Sequence, residues 1–362
     1  GSLPSGISAS TTYYLFNVDG LTANLLNSAG ALVNTATTGS SCYISDLVDV
    51  PVVQNLITVS DASRFIIAFG CNDYGSSTQD PMLIRWSGQE DPYDWTPDST
   101  NQAGSIRLSH GSAIVAVQQT RQEIVVITDS SVYSLQYLGP PTVWNSQLLG
   151  DNISIVGQNS VITASGIVYW MGVDKFYVYD GRVQTLNCDL RRHVFNDFNQ
   201  SQRAQVYAGT NEGFNEIWWF YCSANSTVID KYVVYNYLEK IWYYGSLSRT
   251  AWFDSGLLPY PFASTYDSVT QTGRLIYHEA GLNDNTDGTD YAINAYISSS
   301  EFDIGDGHNF GFVWRIIPDL TFSNSTDSPA GVTPRATMTL YGLYNSGSGR
   351  IESASGLVAK SS

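Results

Sequence analysis

Charged residues are scarce in this chain, and long apolar runs are missing altogether. Only 14% of its 362 residues are Asp, Glu, Lys or Arg. No run of apolar residues approaches the ~20 that a helix needs to cross a bilayer, so the sequence predicts no membrane span. Residues 1–6 lack the basic and apolar regions of a signal peptide, and none is predicted.

Basic residues are the scarcer of the two charge types. The chain has 17 Lys plus Arg against 33 Asp plus Glu, a formal net charge of −16. Proteins that bind nucleic acid use basic patches to replace counterions, so this balance argues against such binding. Two interpretations stay open: an ordinary acidic surface, or a wall that nucleic acid must pass without adhering.

Cysteine is also rare, and its spacing excludes the common zinc motifs. Cys42, Cys71, Cys188 and Cys222 lie far apart and form no CxxC pair. Free buried thiols are the expected state in a chain of this size. Pairing of Cys42 with Cys71, or of Cys188 with Cys222, remains open from the sequence.

Motifs of catalysis and cofactor binding are missing as well. The chain contains no HExxH, GxSxG, Walker A or dinucleotide-binding pattern. Residues 283–288 are similar to the start of a calcium loop, but its twelfth position is Asn294 instead of a bidentate glutamate. The sequence therefore predicts no enzyme, no metal site and no cofactor.

The chain is instead rich in aromatic residues, which recur in short strand-forming segments at nearly even spacing. We call these segments phrases. The chain carries 24 Tyr and 9 Trp, and five phrases combine aromatic and β-branched or apolar residues: 83–86, 132–135, 175–179, 232–237 and 274–277. Counted between Trp86, Tyr133, Tyr177, Tyr235 and Tyr277, the spacings are 47, 44, 58 and 42 residues. A period near ~45 is typical of β-propeller blades. With an earlier phrase at 13–16, the sequence predicts an all-β protein with a β-propeller of about six blades.

Local signals predict two further features. Asp180 and Gly181 follow the third phrase and favour a tight hairpin that needs a positive φ. Residues 189–198 place Leu190, Val194 and Phe198 at helical spacing, with Asp189 as the N-cap.

The residue pattern of the sequence changes near residue 298, and this change predicts a domain boundary there. We assign residues 1–298 to the propeller and residues 299–362 to part of a second, sandwich-like β domain that continues in a longer parent chain. Its predicted strands cover residues 299–304, 312–317 and 336–344, with a Ser, Thr and Pro loop at 323–334.

Several phrases, in a shared order, resemble the tail hub (nozzle) proteins of short-tailed bacteriophages. The phrases are MLIRWS at 82–87 with DWTP at 94–97, VYWMG at 168–172 with FYVYDG at 176–181, YNY at 235–237 with Trp242 and RTAW at 249–252, and DIGDG at 303–307 with IPD at 317–319. They span roughly residues 60–320. The resemblance implies structural blade motifs at Trp86, Trp95, Trp170, Tyr177, Asp180, Gly181, Tyr235, Trp242 and Arg249.

The resemblance also implies a function. Such a protein is a non-enzymatic part of the virion tail, assembled in the host cytoplasm as a homo-oligomeric ring, typically a hexamer. The ring lies below the portal and the tail adaptor protein, supports a tail fibre or spike, and lets genomic DNA pass without sequence-specific binding. A platform domain is expected after the propeller.

Two alternatives stay open. Aromatic clusters at 218–221 and 241–244 are compatible with a carbohydrate-binding or glycan-degrading propeller, although alternation along a strand favours packing for them. A general interaction scaffold of the WD type would require Gly-His and Trp-Asp signatures that the sequence lacks.

Overall fold

The regular secondary structure of the computed structural model is almost entirely antiparallel strands. The chain divides into two compact units, residues 1–277 and residues 278–362. The boundary predicted after residue 298 falls within the second unit, and a separate second β domain stays a prediction. The residues that the structure describes are 14–19, 22–27, 29, 33, 49–254, 256–267, 270–281, 283–285, 288–293, 295–299, 301–309, 311–322, 335–348, 351–353 and 357–360.

The first unit begins with a hairpin, β1 (Tyr14–Asp19) and β2 (Thr22–Leu26), followed by five sheets. The first sheet contains β3 (Leu56–Val59), β4 (Ile66–Phe69), β5 (Leu83–Trp86) and β6 (Gly104–Arg107). The second contains β7 (Ile114–Gln119), β8 (Ile124–Thr128), β9 (Ser131–Gly139) and β10 (Val143–Asp151). The third contains β11 (Val161–Ala164), β12 (Ile167–Met171), β13 (Phe176–Tyr179) and β14 (Val183–Leu186). The fourth contains β15 (Tyr207–Asn211), β16 (Glu216–Tyr221), β17 (Lys231–Asn236) and β18 (Ile241–Gly245), and the fifth contains β19 (Ala251–Phe253), β20 (Phe262–Asp267) and β21 (Thr272–Tyr277).

Each of the five sheets is an antiparallel meander in which strands that follow one another in the chain are neighbours. Every one of the five aromatic phrases lies in the third strand of its sheet, namely β5, β9, β13, β17 or β21. The predicted repeat is therefore confirmed as a repeat of sheets. The first strands β7, β11, β15 and β19 also lie next to one another, so that consecutive sheets face each other.

Consecutive sheets pack through apolar side chains on both of their faces. Strand β12 illustrates the pattern, because its side chains alternate between two clusters. Val168 and Trp170 pack toward the second sheet, whereas Tyr169 and Met171 pack toward the fourth. Period-two alternation normally leaves one face of a strand in water, but here both faces are apolar because each inner sheet has two neighbours.

The predicted hairpin after the third phrase is confirmed. Strands β13 and β14 pair with Tyr179 opposite Val183. Gly181 lies in the turn with a φ of 108°, a backbone conformation that side chains with a Cβ rarely adopt.

The predicted helix is present but shorter, and its cap was wrong. Helix α1 covers Arg191–Asn196, and no side chain caps its first turn. Instead of Asp189 capping, the Arg191 guanidinium bonds the Asp174 carboxylate at 2.8 Å and fixes the start of the helix. Val194 and Phe198 are buried in the cluster between the third and fourth sheets, as the helical spacing predicted. Among the residues that the structure describes, three short 3₁₀ helices cover Gln158–Ser160, Gln200–Gln205 and Glu212–Phe214.

In the second unit, the strands that the structure describes form short pairs. These are β22 (Asn283–Asp284) with β23 (Tyr291–Ala292), β24 (Arg335–Met338) with β27 (Leu357–Lys360), and β25 (Tyr341–Leu343) with β26 (Ile351–Ser353). The strands predicted at 299–304 and 312–317 were wrong, because no described residue there pairs in a ladder. The strand predicted at 336–344 is divided between β24 and β25, and the loop predicted at 323–334 lies outside the described residues.

The cysteines that the structure describes are free thiols. Cys71 and Cys222 are buried, and Cys188 is half-buried. Burial raises the pKa of Cys71 to about 11 and that of Cys222 to about 11, which keeps both thiols protonated and unreactive at neutral pH. Cys188 and Cys222 are not paired, and Cys42 lies outside the described residues.

Candidate functional site

The nine predicted blade-motif residues do not form one site. Six of them are buried, Trp242 is half-buried, and Asp180 and Gly181 are exposed in a turn. The buried ones are Trp86, Trp95, Trp170, Tyr177, Tyr235 and Arg249. They lie in the first, third and fourth sheets and in connecting segments, and none lies in a strand of the second or fifth sheet.

Their contacts are those of packing residues. Trp170 stacks on Tyr177 with ring centroids 5.3 Å apart, and its indole N–H donates to the carbonyl of Ser154 at 3.3 Å. The indole of Trp86 donates to the carbonyl of Gln102 at 2.8 Å. Buried tryptophans normally have such a partner for the N–H, so these contacts indicate a structural role.

A polar junction that the sequence did not predict joins the second and third sheets. The carboxylate of Glu123 accepts hydrogen bonds from Ser134 and Tyr179, and from Gln136 at 2.9 Å. Burial opposes ionisation of Glu123, but the three hydrogen bonds outweigh it and lower the pKa of the carboxyl below its ordinary value of 4.5. The junction therefore favours the ionised form of Glu123 in the folded chain, and its contribution to stability is larger when Glu123 is ionised.

We expect Glu123→Gln to lower the free energy of unfolding by about 1–2 kcal/mol at pH 7, since hydrogen bonds to a charged group are lost at a partly solvated position. A lowered folded-state pKa contributes stability above the ordinary value of 4.5. That contribution is lost as the pH falls through the folded-state pKa. Urea denaturation of both proteins between pH 3 and pH 7 should therefore show the difference shrinking below about pH 4.5.

Glu90→Gln is the matched control, because Glu90 makes an exposed ion pair with Arg64 at 3.0 Å. Exposed pairs contribute about 0–1 kcal/mol, so this variant should stay close to wild type throughout. A difference between Glu123→Gln and wild type that is equally large at pH 3 and pH 7 would contradict the assignment.

A small cavity of ≈ 200 Å³ lies where the first strands of four sheets approach one another. Its lining combines amide and apolar side chains: Leu56, Val117, Gln118, Gln158, Asn159, Val161, Ile162, Tyr207 and Ala208. This volume is below the roughly 300–1,000 Å³ that is usual for small-molecule pockets. The cavity can hold water or a small polar ligand.

The outer face of the fifth sheet is apolar and uncovered among the described residues. Phe253, Phe262 and Tyr277 lie opposite one another across its three strands. Their ring centroids are 5.3 Å and 6.2 Å apart. Tyr277 is 60% exposed and Leu275, on the same strand, is 76% exposed.

The second unit carries a longer apolar surface, which we call the apolar segment (residues 295–322). Its described residues form a turn at 305–308 but no helix or strand. At least half of the surface is exposed for each of these side chains: Tyr296, Ile297, Phe302, Ile304, Phe312, Val313, Trp314, Ile317 and Leu320. Large exposed apolar patches mark contact sites with other molecules. This segment is therefore the candidate functional site.

Sequence reasoning found part of this surface and missed the rest. It identified residues 299–304 and 312–317 as strands, but expected them to be paired in a sheet. It gave no signal for Glu123, whose partner Tyr179 is 56 residues away in the chain.

In the part of the chain that the structure describes, no helix has the length and apolar character that crossing a membrane would require. Within the same residues, no three His, Cys, Asp or Glu side chains come close enough to hold a metal ion.

Comparison with known proteins identifies no family. No protein-family model and no curated protein matches the chain. Among solved structures, the chain is similar to the N-terminal domain of Nup159, with 10% identity over 65% of this chain and 61% of that chain, at a TM-score of 0.34. It is similar to the extracellular domain of the one component system BT4673 from B. thetaiotaomicron, with 10% identity over 62% of this chain and 33% of that chain, at a TM-score of 0.34. Hsv2 from Kluyvelomyces marxianus gives 8% identity over 59% of this chain and 82% of that chain, at a TM-score of 0.25.

The chain thus spans about three fifths of the Nup159 domain and one third of the BT4673 domain. At these identities and TM-scores the likenesses identify neither a family nor an activity.

Proposed function

We propose that this chain is a structural protein of a bacteriophage tail. It assembles into a homo-oligomeric ring, a hexamer by the resemblance described above, and has no enzymatic activity and no cofactor. The ring lies below the portal and the tail adaptor protein, encloses the channel for genomic DNA, and supports a tail fibre or spike.

The observation that carries this proposal is the apolar segment of the second unit. Ile297 is 99% exposed, Phe312 is 88% exposed and Trp314 is 78% exposed. Leaving such side chains in water costs about 1.5–3 kcal/mol each relative to burial. Aromatic residues are also the ones enriched at the centres of protein interfaces. A surface of this kind favours assembly with other protein chains over a monomer in solution.

The charge supports the same proposal. A net charge of −16 with few basic residues gives a surface that repels phosphate groups. A channel that DNA passes through requires such a surface, because strong phosphate contacts would hold the DNA back.

The proposal includes the number of propeller blades and the C-terminal domain. We infer a β-propeller of about six blades, of which the five sheets account for five. Consecutive four-stranded meanders with adjacent first strands support this inference. A C-terminal platform domain, of which the second unit is a part, belongs to the same proposal.

The first test is the mass of the full-length chain in solution, alone and with a tail adaptor protein. Mass photometry and electron microscopy should show a ring of defined copy number. In Phe312→Ser/Trp314→Ser we expect the concentration needed for assembly to rise by about tenfold or more, because two exposed aromatic anchors are lost.

Leu257→Ser is the matched control, since Leu257 is 95% exposed in the first unit and lies outside the apolar segment. This variant should assemble like wild type. A wild-type chain that stays monomeric both alone and with the adaptor would contradict the proposal.

A second candidate function, binding of a small glycan, is supported by the cavity at the first strands. Gln118, Gln158 and Asn159 offer amide donors and acceptors beside Tyr207 there, a combination that suits sugar hydroxyls. Calorimetry with a panel of mono- and oligosaccharides would distinguish the two functions. Saturable binding that Gln118→Ala abolishes would favour the glycan.

A further inference from the structure

Two turns at one end of the fourth sheet carry large apolar side chains, although turns are usually polar. Phe214 ends the 3₁₀ helix between β15 and β16, Leu238 lies in the turn between β17 and β18, and Ile241 begins β18. More than half of the surface of each of these side chains is exposed. The corresponding turns of the second and third sheets contain no large apolar residue; they cover residues 120–123, 140–142, 165–166 and 180–182.

Hydrogen bonds hold the two turns of the fourth sheet side by side. The side-chain amide of Asn236 donates to the carbonyl of Phe214 at 3.0 Å. Its oxygen accepts from the backbone N–H of Leu238 at 3.1 Å. The backbone N–H of Tyr237 donates to the carbonyl of Asn215 at 3.0 Å. A surface that is already fixed in this way loses little conformational freedom when it binds a partner.

The charged residues of these turns are mostly acidic. Glu216 accepts a hydrogen bond from the indole of Trp218 at 3.0 Å. Glu212 and Glu239 are exposed and take part in none of the three ion pairs that the described residues form. We call this surface the turn patch, and it consists of Phe214, Leu238 and Ile241 together with Glu212, Glu216, Glu239 and Lys240. With three carboxylates and one ammonium group, the turn patch is apolar and net negative.

The apolar segment of the second unit has the complementary chemistry. Phe312 and Trp314 are aromatic and largely exposed. Between Asp306 and Asp319 the chain contains no acidic residue, and Arg315 is the one Lys or Arg there. Arg315 is exposed and takes part in none of the ion pairs of the described residues. A cation beside exposed aromatic side chains matches a surface of apolar and acidic residues.

We propose that the apolar segment of one copy of this chain docks on the turn patch of the next copy in the ring. Phe312 and Trp314 cover the apolar side chains of the patch. Arg315 pairs with the carboxylates of Glu212 and Glu239. Aromatic residues and arginine are the ones that most often dominate binding at interfaces.

This contact joins two different surfaces, one from each unit of the chain. Each copy therefore offers one segment and receives one, and such a head-to-tail contact closes into a ring when the rotation between copies allows it. The inference rests on the proposed ring, and it adds the surface that receives the apolar segment.

The experiment reverses the charges of the two surfaces in separate full-length chains. One chain carries Arg315→Glu, and the other carries Glu212→Arg with Glu239→Arg. Each chain alone brings like charges together, so the concentration needed for ring formation, measured by mass photometry, should rise about tenfold or more. In an equal mixture, opposite charges meet at every contact when the two chains alternate. Assembly of the mixture should therefore return to within about threefold of wild type, and native mass spectrometry should find both chains in equal number.

Leu238→Ser tests the apolar part of the turn patch, and Leu138→Ser is its matched control. Leu238 is 66% exposed, and Leu138, which precedes the corresponding turn of the second sheet, is 59% exposed. We expect Leu238→Ser to raise the concentration needed for ring formation about tenfold, and Leu138→Ser to leave it unchanged. Both variants should keep the melting temperature of the wild-type chain, because both side chains are exposed.

The possible outcomes separate this inference from the proposed function. Normal ring formation by both charge-reversed chains, or equal effects of Leu238→Ser and Leu138→Ser, would overturn the docking and leave the ring intact. A chain with all three charge reversals that assembles normally, while the mixture does not, would mean that the contact lies within one copy, which also overturns the inference. If the wild-type chain forms no ring either alone or with the adaptor, the proposed function and this inference both fail.

Discussion

Replacing Trp219 with alanine is expected to lower the free energy of unfolding by about 3–5 kcal/mol. The side chain is fully buried in the cluster between the third and fourth sheets. Its ring lies 4.9 Å from the ring of Phe176 and 6.0 Å from that of Trp242, measured between centroids. The indole N–H donates to the carbonyl of Ser160 at 3.0 Å, so truncation also leaves a buried carbonyl without its partner.

The size of this effect follows from where Trp219 lies. It joins a strand of the fourth sheet to the 3₁₀ helix that precedes the third, so the cavity left behind could not close without moving two sheets. Chemical denaturation of the full chain would measure the loss. Trp219→Phe keeps most of the volume and should cost clearly less. Tyr93→Ala, at a residue that is 55% exposed, should change stability by about 0.5 kcal/mol or less. If Trp219→Ala costs no more than Tyr93→Ala, the packing described here is wrong.

The repeat of sheets could be predicted because its signal is local and occurs five times. Each third strand carries a phrase such as Leu83–Trp86 or Phe176–Tyr179, in which nearly every residue is apolar or aromatic. Such a sequence suits a strand whose two faces are both covered, as in β9, β13 and β17 of the inner sheets, whereas β21 of the fifth sheet carries the phrase but is mostly exposed. The spacing of the phrases therefore reports the spacing of the sheets.

The prediction of a strand at 312–317 was wrong because a strand forms only where a neighbouring strand pairs with it. Phe312, Trp314 and Ile317 have high strand propensity, but propensity provides no hydrogen bonds. The described residues of this segment form no ladder, and its large side chains stay exposed. The same residues that misled the assignment of secondary structure are the ones that support assembly with another chain.

The polar junction at Glu123 could not be predicted for a different reason. Ser134, Gln136 and Tyr179 are ordinary strand residues, and nothing in their local sequence marks them as partners of one carboxylate. They meet only because the second and third sheets pack face to face. Contacts between sheets join residues that are far apart in the chain, and they cannot be predicted from a single sequence.

Gly209→Ala is the last variant for which we expect a large effect, a loss of about 2–3 kcal/mol. Gly209 lies in β15 where that strand touches β19 of the next sheet. An added Cβ would lie 2.5 Å from Cδ1 and 2.8 Å from Cβ of Trp252. These atoms belong to the rigid base of the side chain, and Trp252 is held by its indole bond to the carbonyl of Thr210 at 2.6 Å. The strands would have to separate to admit the methyl group.

A double-mutant cycle with Trp252→Ala isolates this contact. Trp252→Ala should itself destabilise, because its ring stacks on Trp218 with centroids 5.4 Å apart. In that background, however, Gly209→Ala should cost clearly less than in wild type, since the contact with the ring at 2.5 Å is gone and only the contact with Cβ of residue 252 at 2.8 Å remains. Gly256→Ala serves as the control for the added methyl alone, because nothing lies within 4 Å of its Cβ position. Additive losses from Gly209→Ala and Trp252→Ala would mean that the fourth and fifth sheets do not pack through this pair.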